Sequence, residues 1–475
     1  MKSETCRIMF LRKPLKTPDH CKWSSLYNFR KSNLQRPPFL WESPRPEKCR
    51  ISDDHFTWFG FAKLTLTFLE PFGSLTLSPK AERDPSYKLY MTFRTGFLCL
   101  FLLVGMQNAS AQNQKLDVNI GGYLKELGQV SLNNNFSTIH YDNVLHHRIE
   151  SNWKLRNHWE FEADLRTRLL SGYSVEHQPG IKQMFEQDPN YLDMAWVCFD
   201  TKYSLMHSNI DRLYASYYNG PWEITLGRQR INWSRTFVWS PNDLFNNFAY
   251  LDFDYEERPG TDALNLQYSW SYASSMQLTT QFGHHWDETV IAGMLRSSLG
   301  SYDIQFIGGH YHKDISVGAG WAGYLGDAGF KGEISYFHPE NNFFDLVGHI
   351  TFTTGFDYMF SDGLYLQSEL LYNGGYQNNG TPLANLVQPP TADNLFIAKS
   401  GYFLNGSYQF TPLISGQLGL MGSFDRSIII FIPQISISVT ENVDFLLLSQ
   451  LLKGSTLNRT IDTPNAFFFR LKWSY

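Results

Sequence analysis

Cysteine, long apolar runs and charged residues are all scarce in this sequence of 475 residues. Four of its five cysteines (Cys6, Cys21, Cys49 and Cys99) precede residue 112, so a mature chain that begins there would keep only Cys198. A single cysteine can form neither an intrachain disulfide nor a cysteine-based metal site. Charged residues make up 18% of the chain. The mean hydropathy of -0.32 disfavours a bundle of membrane-spanning helices.

The familiar catalytic and nucleotide-binding motifs are also missing. The sequence holds no H-E-x-x-H, G-x-S-x-G, G-x-x-x-x-G-K or C-x-x-C segment. The pair His284-His285 and the pair His310 and His312 come nearest to a metal site, but neither has an obvious third ligand. We therefore predict no metal, no cofactor and no enzymatic activity, and we interpret these histidines as interfacial polar residues.

Aromatic residues, in contrast, make up 16% of the chain, and they are arranged most regularly at its C-terminal end. Residues 465–475 read N-A-F-F-F-R-L-K-W-S-Y, and in a strand every second side chain lies on the same face. The apolar face consists of Phe467, Phe469, Leu471, Trp473 and Tyr475. This ending resembles the C-terminal insertion signal of Gram-negative outer-membrane β-barrels. The resemblance implies an outer-membrane location, contact with outer-membrane lipid and recognition by the barrel-insertion machinery.

A secretory signal peptide is predicted for residues 91–111. Arg94 supplies a basic start, an apolar run follows, and Ala109-Ser110-Ala111 has the small-x-small form of a cleavage site. Residues 1–90 precede this signal and show no sustained periodicity, so we interpret them as an unstructured extension or a start-site artefact. They hold an excess of Lys and Arg, which leaves residues 112–475 acidic and disfavours binding of nucleic acid.

Alternating polar and apolar side chains recur along residues 112–475, most clearly in the hairpin over residues 144–169. One face of this hairpin is apolar, and the other is too polar for either a soluble core or lipid. We predict that the polar face lines a water-filled interior and that the other spanning strands are polar inward as well. The predicted pore-lining residues of this hairpin are Arg148, Glu150, Lys154, Glu160, Glu162, Asp164, Arg166 and Arg168.

Short turns alternate with longer connections along the same region. Very short turns are predicted near residues 156, 220, 272, 299, 326, 362, 412 and 441, and every long connection falls between two of them. Outer-membrane barrels show this alternation, with short turns periplasmic and long loops outside. The fold class is therefore all-β, a single transmembrane antiparallel barrel of about 18 strands over residues 112–475, with 16 as the alternative. A barrel of this size is wide enough to leave an aqueous channel.

The segment over residues 227–263 combines aromatic side chains with charges of both signs. A solvated loop has little use for so many aromatics, so we expect the loop to fold inward and to form a constriction that selects by size and charge. Its predicted pore-lining residues are Arg228, Arg230, Arg235, Asp243, Asp252, Asp254 and Arg258. The alternative is an extracellular loop that salt bridges tie down without any role in selection.

This segment resembles a region of alginate-export-like and related porin families. The resemblance rests on G-R-Q-x-x-x-W at residues 227–233 and on N-D-x-F at residues 242–245. It implies a monomeric or loosely associated channel for anionic or carbohydrate solutes. We therefore predict a porin-like channel for diffusion of small hydrophilic or carbohydrate-type solutes. The alternatives are a scaffold for assembly of surface polysaccharide or adhesin, and a barrel hydrolase.

Overall fold

The computed structural model describes residues 116–132, 138–178, 180–247, 257–341, 343–376, 390–425, 427–456, 459–461 and 465–475. The predicted extension over residues 1–90 and the predicted signal peptide over 91–111 lie outside this range, so both remain predictions. Within the described ranges no helix is both long enough and apolar enough to cross a membrane.

The described residues form one antiparallel sheet of 20 strands. In chain order the strands are β1 Leu116–Leu132, β2 Ile139–Leu155, β3 Trp159–Gly172, β4 Ala195–Asp200, β5 Ser204–Asn219, β6 Trp222–Gln229, β7 Thr261–Ser271, β8 Ser274–Gln281, β9 Val290–Leu299, β10 Tyr302–Tyr311, β11 Asp314–Leu325, β12 Ala328–Pro339, β13 His349–Met359, β14 Tyr365–Asn373, β15 Ser400–Thr411, β16 Ile414–Ser423, β17 Ile428–Thr440, β18 Val443–Thr456, β19 Arg459–Ile461 and β20 Asn465–Ser474. The described residues also form two short helices, α1 Tyr173–His177 and α2 Ile181–Glu186, and a 3-10 turn over Trp286–Glu288.

The sheet closes on itself. Strand β20 pairs with both β18 and β1, in a register that places Trp473 opposite Leu124. The backbone N–H of Tyr475 also donates to the carbonyl of Gly122 at 3.0 Å. Strands β4 and β19 only extend the hairpins beside β5 and β18, so 18 strands form the ring. The predicted all-β barrel and its strand number are confirmed.

Connections differ between the two ends of the barrel. One end carries both described chain ends and eight short turns, at the places the sequence predicted. Gly300 and Gly326 have φ values of 63° and 68°, which only a residue without a Cβ adopts easily. The other end carries the long connections, although the turn between β10 and β11 is also short. We call these two ends the short-turn end and the long-loop end.

The outer surface of the ring is apolar. Leu226, Leu278 and Phe306 are 55%, 49% and 57% exposed. The C-terminal face shares this surface, since Phe469, Leu471, Trp473 and Tyr475 are all exposed and Phe467 is partly so. A continuous apolar belt on a closed barrel is stable against hydrocarbon and not against water, so the strands span a membrane.

The inner surface departs from the expectation that every strand is polar inward. Strands β15 to β18 place Phe403, Met421, Ile430 and Leu448 inside, and each is almost fully buried. We call this part of the wall the apolar side, and the inner surface of β2 to β8, which is mostly polar, the polar side. The prediction of polar inner faces is wrong for β15 to β18 because loops inside the barrel, rather than water, cover these strands.

Candidate functional site

The loop between β6 and β7 lies inside the barrel. We call residues 230–260 the inner loop; its described parts are residues 230–247 and 257–260. Trp233 is 1% exposed, and its indole Nε1 donates to Gln277 at 2.6 Å while its carbonyl accepts from Gln305 Nε2 at 2.7 Å. Gln277 belongs to β8 and Gln305 to β10, so the loop turns inward at Trp233 and then follows the inner wall.

A buried carboxyl group on β12 binds the next residues of the inner loop. Glu333 is fully buried, and its Oε1 accepts from the backbone N–H groups of Arg235 and Thr236, the latter at 3.0 Å. Its Oε2 accepts from the Ser240 hydroxyl at 2.7 Å and from the N–H of Asn242 at 3.0 Å. One side chain of the wall therefore fixes both ends of the segment from residue 235 to residue 242.

A second buried carboxyl group, on β14, binds the middle of that segment. Glu369 Oε2 accepts from the N–H groups of Phe237 and Val238 at 2.8 and 3.0 Å. Its Oε1 accepts from the N–H of Trp239 at 2.8 Å and from the Thr353 hydroxyl at 3.0 Å. Three successive N–H groups that have no strand partner are thus satisfied by one side chain, which avoids the cost of burying them unpaired.

The wall also provides space for the inner loop. The side chain of Asn242 lies so close to Gly318 and Gly320 of β11 that a Cβ on either glycine would fall within 3.0 Å of it. Asn242 Nδ2 donates to the carbonyl of Ala319 at 3.0 Å, and the hydroxyl of Ser335 donates to the carbonyl of Pro241 at 3.0 Å. This part of the loop is in direct contact with the wall, with no layer of solvent between them.

An ion pair joins the middle of the inner loop to its C-terminal end. Arg258 lies 3.1 Å from Asp243, whose side chain is 1% exposed. Burial raises the pKa of the Asp243 carboxyl to about 7, while Arg258 acts in the opposite direction. Both residues lie in the loop, outside the membrane-spanning strands.

A second loop packs against the first. Residues 390–399, which we call the second inner loop, precede β15, and the side chain of Asn373 donates to the carbonyls of Phe396 and Ala398 at 2.7 and 3.2 Å. The rings of Phe396 and Trp239 are 5.3 Å apart. Together the two inner loops cover the apolar side of the wall with a hydrophobic cluster. Part of the interior is therefore filled by the two inner loops.

The loop arginines differ in exposure. Arg230 is exposed and lines a polar cavity of about 370 Å³ together with Glu162, Tyr214 and Gln267 of the polar side. Arg235 is half-buried, and its Nε donates to Gln305 at 2.8 Å. Of these two arginines, Arg230 is the one that the structure places in open space beside the wall.

Arg228 is placed differently from the prediction. Its side chain is 2% exposed and pairs with Asp188 at 2.6 Å and with Asp262 at 2.9 Å. It also donates to the carbonyl of Ile210 at 3.1 Å. Asp188 lies in the long connection between β3 and β5, so Arg228 joins that connection to β6 and β7 instead of facing the open interior.

The hairpin residues divide into a buried group and an open group. Arg148 is 2% exposed and lies 2.6, 2.7 and 2.8 Å from Asp211, Asp164 and Glu150. Arg166 lies 3.2 Å from Asp211. Asp211 was not predicted, because it lies at a bulge of β5 that interrupts the alternation of inward and outward side chains. These charged side chains point inward, and most of them form ion pairs with one another. Pairing is necessary because a buried charge without a partner is costly.

The open group lies toward the short-turn end. Lys154 is 56% exposed and lies 3.6 Å from Glu160. Glu162 accepts from the Tyr214 hydroxyl at 2.6 Å and lines the 370 Å³ cavity. Arg168 lies near the long-loop end, with its guanidinium 4.9 Å from the centre of the Phe185 ring. Asp252 and Asp254 lie outside the described residues, and their pore-lining role stays a prediction.

Comparison with known proteins identifies no family for this chain. No family model matches it, so the resemblance to alginate-export-like families stays a prediction, and no curated protein matches it significantly. Solved structures with a similar fold include the outer membrane protein opdK from Pseudomonas aeruginosa, at 8% identity and a TM-score of 0.49, covering 76% of this chain and 98% of that one. OccAB1 from Acinetobacter baumannii is similar at 9% identity and a TM-score of 0.49, covering 76% and 96%. OccK9 (OpdG) from Pseudomonas aeruginosa is 9% identical at a TM-score of 0.48, covering 76% and 98%. At these values the likeness identifies no solute and no function.

Proposed function

We propose that this chain is an outer-membrane channel through which small hydrophilic solutes diffuse, and that the inner loop sets its selectivity. Short turns at one end and long loops at the other are typical of Gram-negative outer-membrane barrels. The C-terminal aromatic face supports insertion by the barrel-assembly machinery, with the short-turn end in the periplasm.

One observation carries this proposal: the interior has two different sides. The inner loops cover the apolar side, and the polar side keeps inward charges and the 370 Å³ cavity. The packed core of a soluble protein would not contain this many ionisable groups next to a cavity. A water-filled path along β2 to β8, narrowed by the inner loop, explains why one side of the interior is polar and why loops cover the other side.

Conductance and ion selectivity of the purified barrel in planar bilayers test the proposal. Arg230→Ala removes an exposed cation, so we expect a lower permeability ratio of chloride to potassium. Arg235→Ala should produce a smaller change because its side chain is half-buried and bonded to Gln305. Lys202→Ala is the matched control, since Lys202 is exposed in the turn between β4 and β5. Unchanged selectivity in both loop variants would favour a loop with no role in selection.

The alternatives give different results. A scaffold for surface polysaccharide or adhesin would show no swelling of liposomes in small sugars or amino acids. A barrel hydrolase would require a serine or aspartate next to a histidine at the rim. In the described part of the rim, His310 lies 3.3 Å from Glu340, and His338 shares a hydrogen bond with Tyr336 at 2.8 Å. Neither arrangement supplies an activated serine.

A further inference from the structure

A second cavity lies at the long-loop end, between the polar side and the connection that carries α2. Its volume is about 230 Å³. Phe185 of α2 and Pro259 of the inner loop line it, together with His207 and Asn209 of β5. Drug-sized ligands occupy pockets of about 300–1,000 Å³, so this cavity suits a smaller solute.

His207 is the group that points to a ligand in this cavity. The residue is 4% exposed, and its Nδ1 has no hydrogen-bond partner among the described residues. Its ring contacts Phe185, with the two ring centres 5.2 Å apart. A buried nitrogen without a partner is costly, and a neutral imidazole has one donor and one acceptor. A hydroxyl group, which both donates and accepts, matches either nitrogen.

The charges around the cavity argue against an anionic ligand. Arg166 lies 3.2 Å from Asp211, and Arg228 is paired with Asp188 at 2.6 Å. The guanidinium of Arg168 packs on the Phe185 ring. Each guanidinium that lines the cavity is already paired with a carboxylate or packed on an aromatic ring, and two carboxylates lie beside them. To bind Arg166 or Arg228, a carboxylate or phosphate would have to displace Asp211 or Asp188, whereas a neutral solute would displace neither.

We propose that this cavity is a binding subsite for a neutral, hydroxyl-bearing solute of about the size of a monosaccharide. Phe185 offers apolar surface beside Arg168 for the C–H groups of a sugar, and His207 offers a hydrogen bond to one of its hydroxyl groups. The inference rests on the proposed channel function, because it names the class of solute that the channel takes up.

Current block by two solutes of similar size tests the subsite. Glucose is neutral and gluconate is anionic, and each is titrated against the open-channel current of the full-length mature barrel. We expect glucose to block at lower concentration than gluconate. His207→Phe keeps a flat ring but removes both nitrogens, so it should weaken glucose block by roughly fivefold, the effect of one lost hydrogen bond of about 1 kcal/mol. His207→Gln keeps a donor and an acceptor and should restore most of the block.

His177→Phe is the matched control, because His177 is exposed on α1 and does not line the cavity. It should leave glucose block unchanged. Three results would each overturn the subsite. They are stronger block by gluconate than by glucose, equal block by glucose in His207→Phe and wild type, and no block by either solute. Conductance in salt alone separates these results from failure of the proposed channel function. A barrel that conducts ions but is not blocked by glucose is a channel without the subsite. A barrel that carries no current is not a channel.

Discussion

The substitution Glu369→Gln tests whether wall carboxyl groups hold the inner loop. Each oxygen of Glu369 accepts two hydrogen bonds, from Phe237 and Val238 at one oxygen and from Trp239 and Thr353 at the other. Glutamine keeps one acceptor oxygen and turns an NH2 group toward the other two donors. Two bonds to a charged group are lost, each worth about 1.5–3 kcal/mol, so the local cost is about 3–6 kcal/mol.

This cost should appear as faster hydrogen exchange in the inner loop. Every 1.4 kcal/mol changes an equilibrium about tenfold, so exchange at residues 237–239 should accelerate by about 100-fold or more. Mass spectrometry of peptides from the inner loop measures the exchange, and the open-channel current should become noisier in the same variant. The loop should not leave the wall entirely, because Glu333 still binds both ends of the segment.

Glu441→Gln is the matched control for this experiment. Glu441 is exposed in the turn between β17 and β18, at the opposite end of the barrel, and should affect neither readout. Altered gel mobility of unheated samples would reveal a variant that fails to fold, and such a variant would be replaced by Thr353→Val, which removes a single bond to Glu369. Normal exchange and normal noise in folded Glu369→Gln would refute the role of this carboxyl group.

Three further predictions follow from the buried charges and from the exposed cysteine Cys198. Arg228→Met should leave Asp188 and Asp262 unpaired at a cost of about 3–5 kcal/mol, and limited proteolysis should then cut the connection between β3 and β5 faster than in wild type. The pKa of Asp243 is raised to about 7 in the folded state, so its ionised form destabilises the fold above pH 7. This destabilisation decreases as the pH falls and disappears at about pH 4, near the ordinary pKa of an aspartate. Asp243→Asn should therefore flatten part of the pH dependence of the free energy of unfolding in urea, by up to roughly 4 kcal/mol between pH 4 and pH 8. Parallel curves for variant and wild type would contradict this. Cys198 is exposed at the long-loop end, so a membrane-impermeant maleimide should label it on intact cells and should not label Cys198→Ser; protection until the cells are lysed would reverse the assigned orientation.

Much of the barrel can be predicted from sequence periodicity, because side chains that face lipid must be apolar. Short turns mark one end, and exposed Phe469, Leu471 and Trp473 were identifiable from alternation alone. Side chains on the inner faces can be polar or apolar, because some of them face water and others pack against a loop. Glu333 and Glu369 alternate like any water-lining glutamate, and periodicity does not reveal whether such a side chain meets water or the backbone of a loop.

One sequence feature did indicate the filled side of the interior. Residues 428–432 read I-I-I-F-I, which is apolar on both faces of β17, whereas a strand between lipid and water would alternate. Ile430 and Ile432 are buried against the hydrophobic cluster, and Phe431 is exposed on the outer belt. The second inner loop has no comparable signal, because one of its partners, Tyr311, lies on β10, far from it in the sequence, and is brought to it only by the fold.

In the proposed channel, the asymmetry of the interior determines where selection can occur. A ring of 18 strands is wide enough to pass solutes of many kinds, so its circumference alone gives little discrimination. The inner loops occupy the apolar side and leave a narrower path whose chemistry comes from β2 to β8. Selectivity should therefore depend on how firmly the inner loop is held and on the few groups that remain open, of which Arg230 is the clearest. Changes to the paired charges of Arg148 and Arg228 should act mainly through stability, because those charges are already satisfied by the protein.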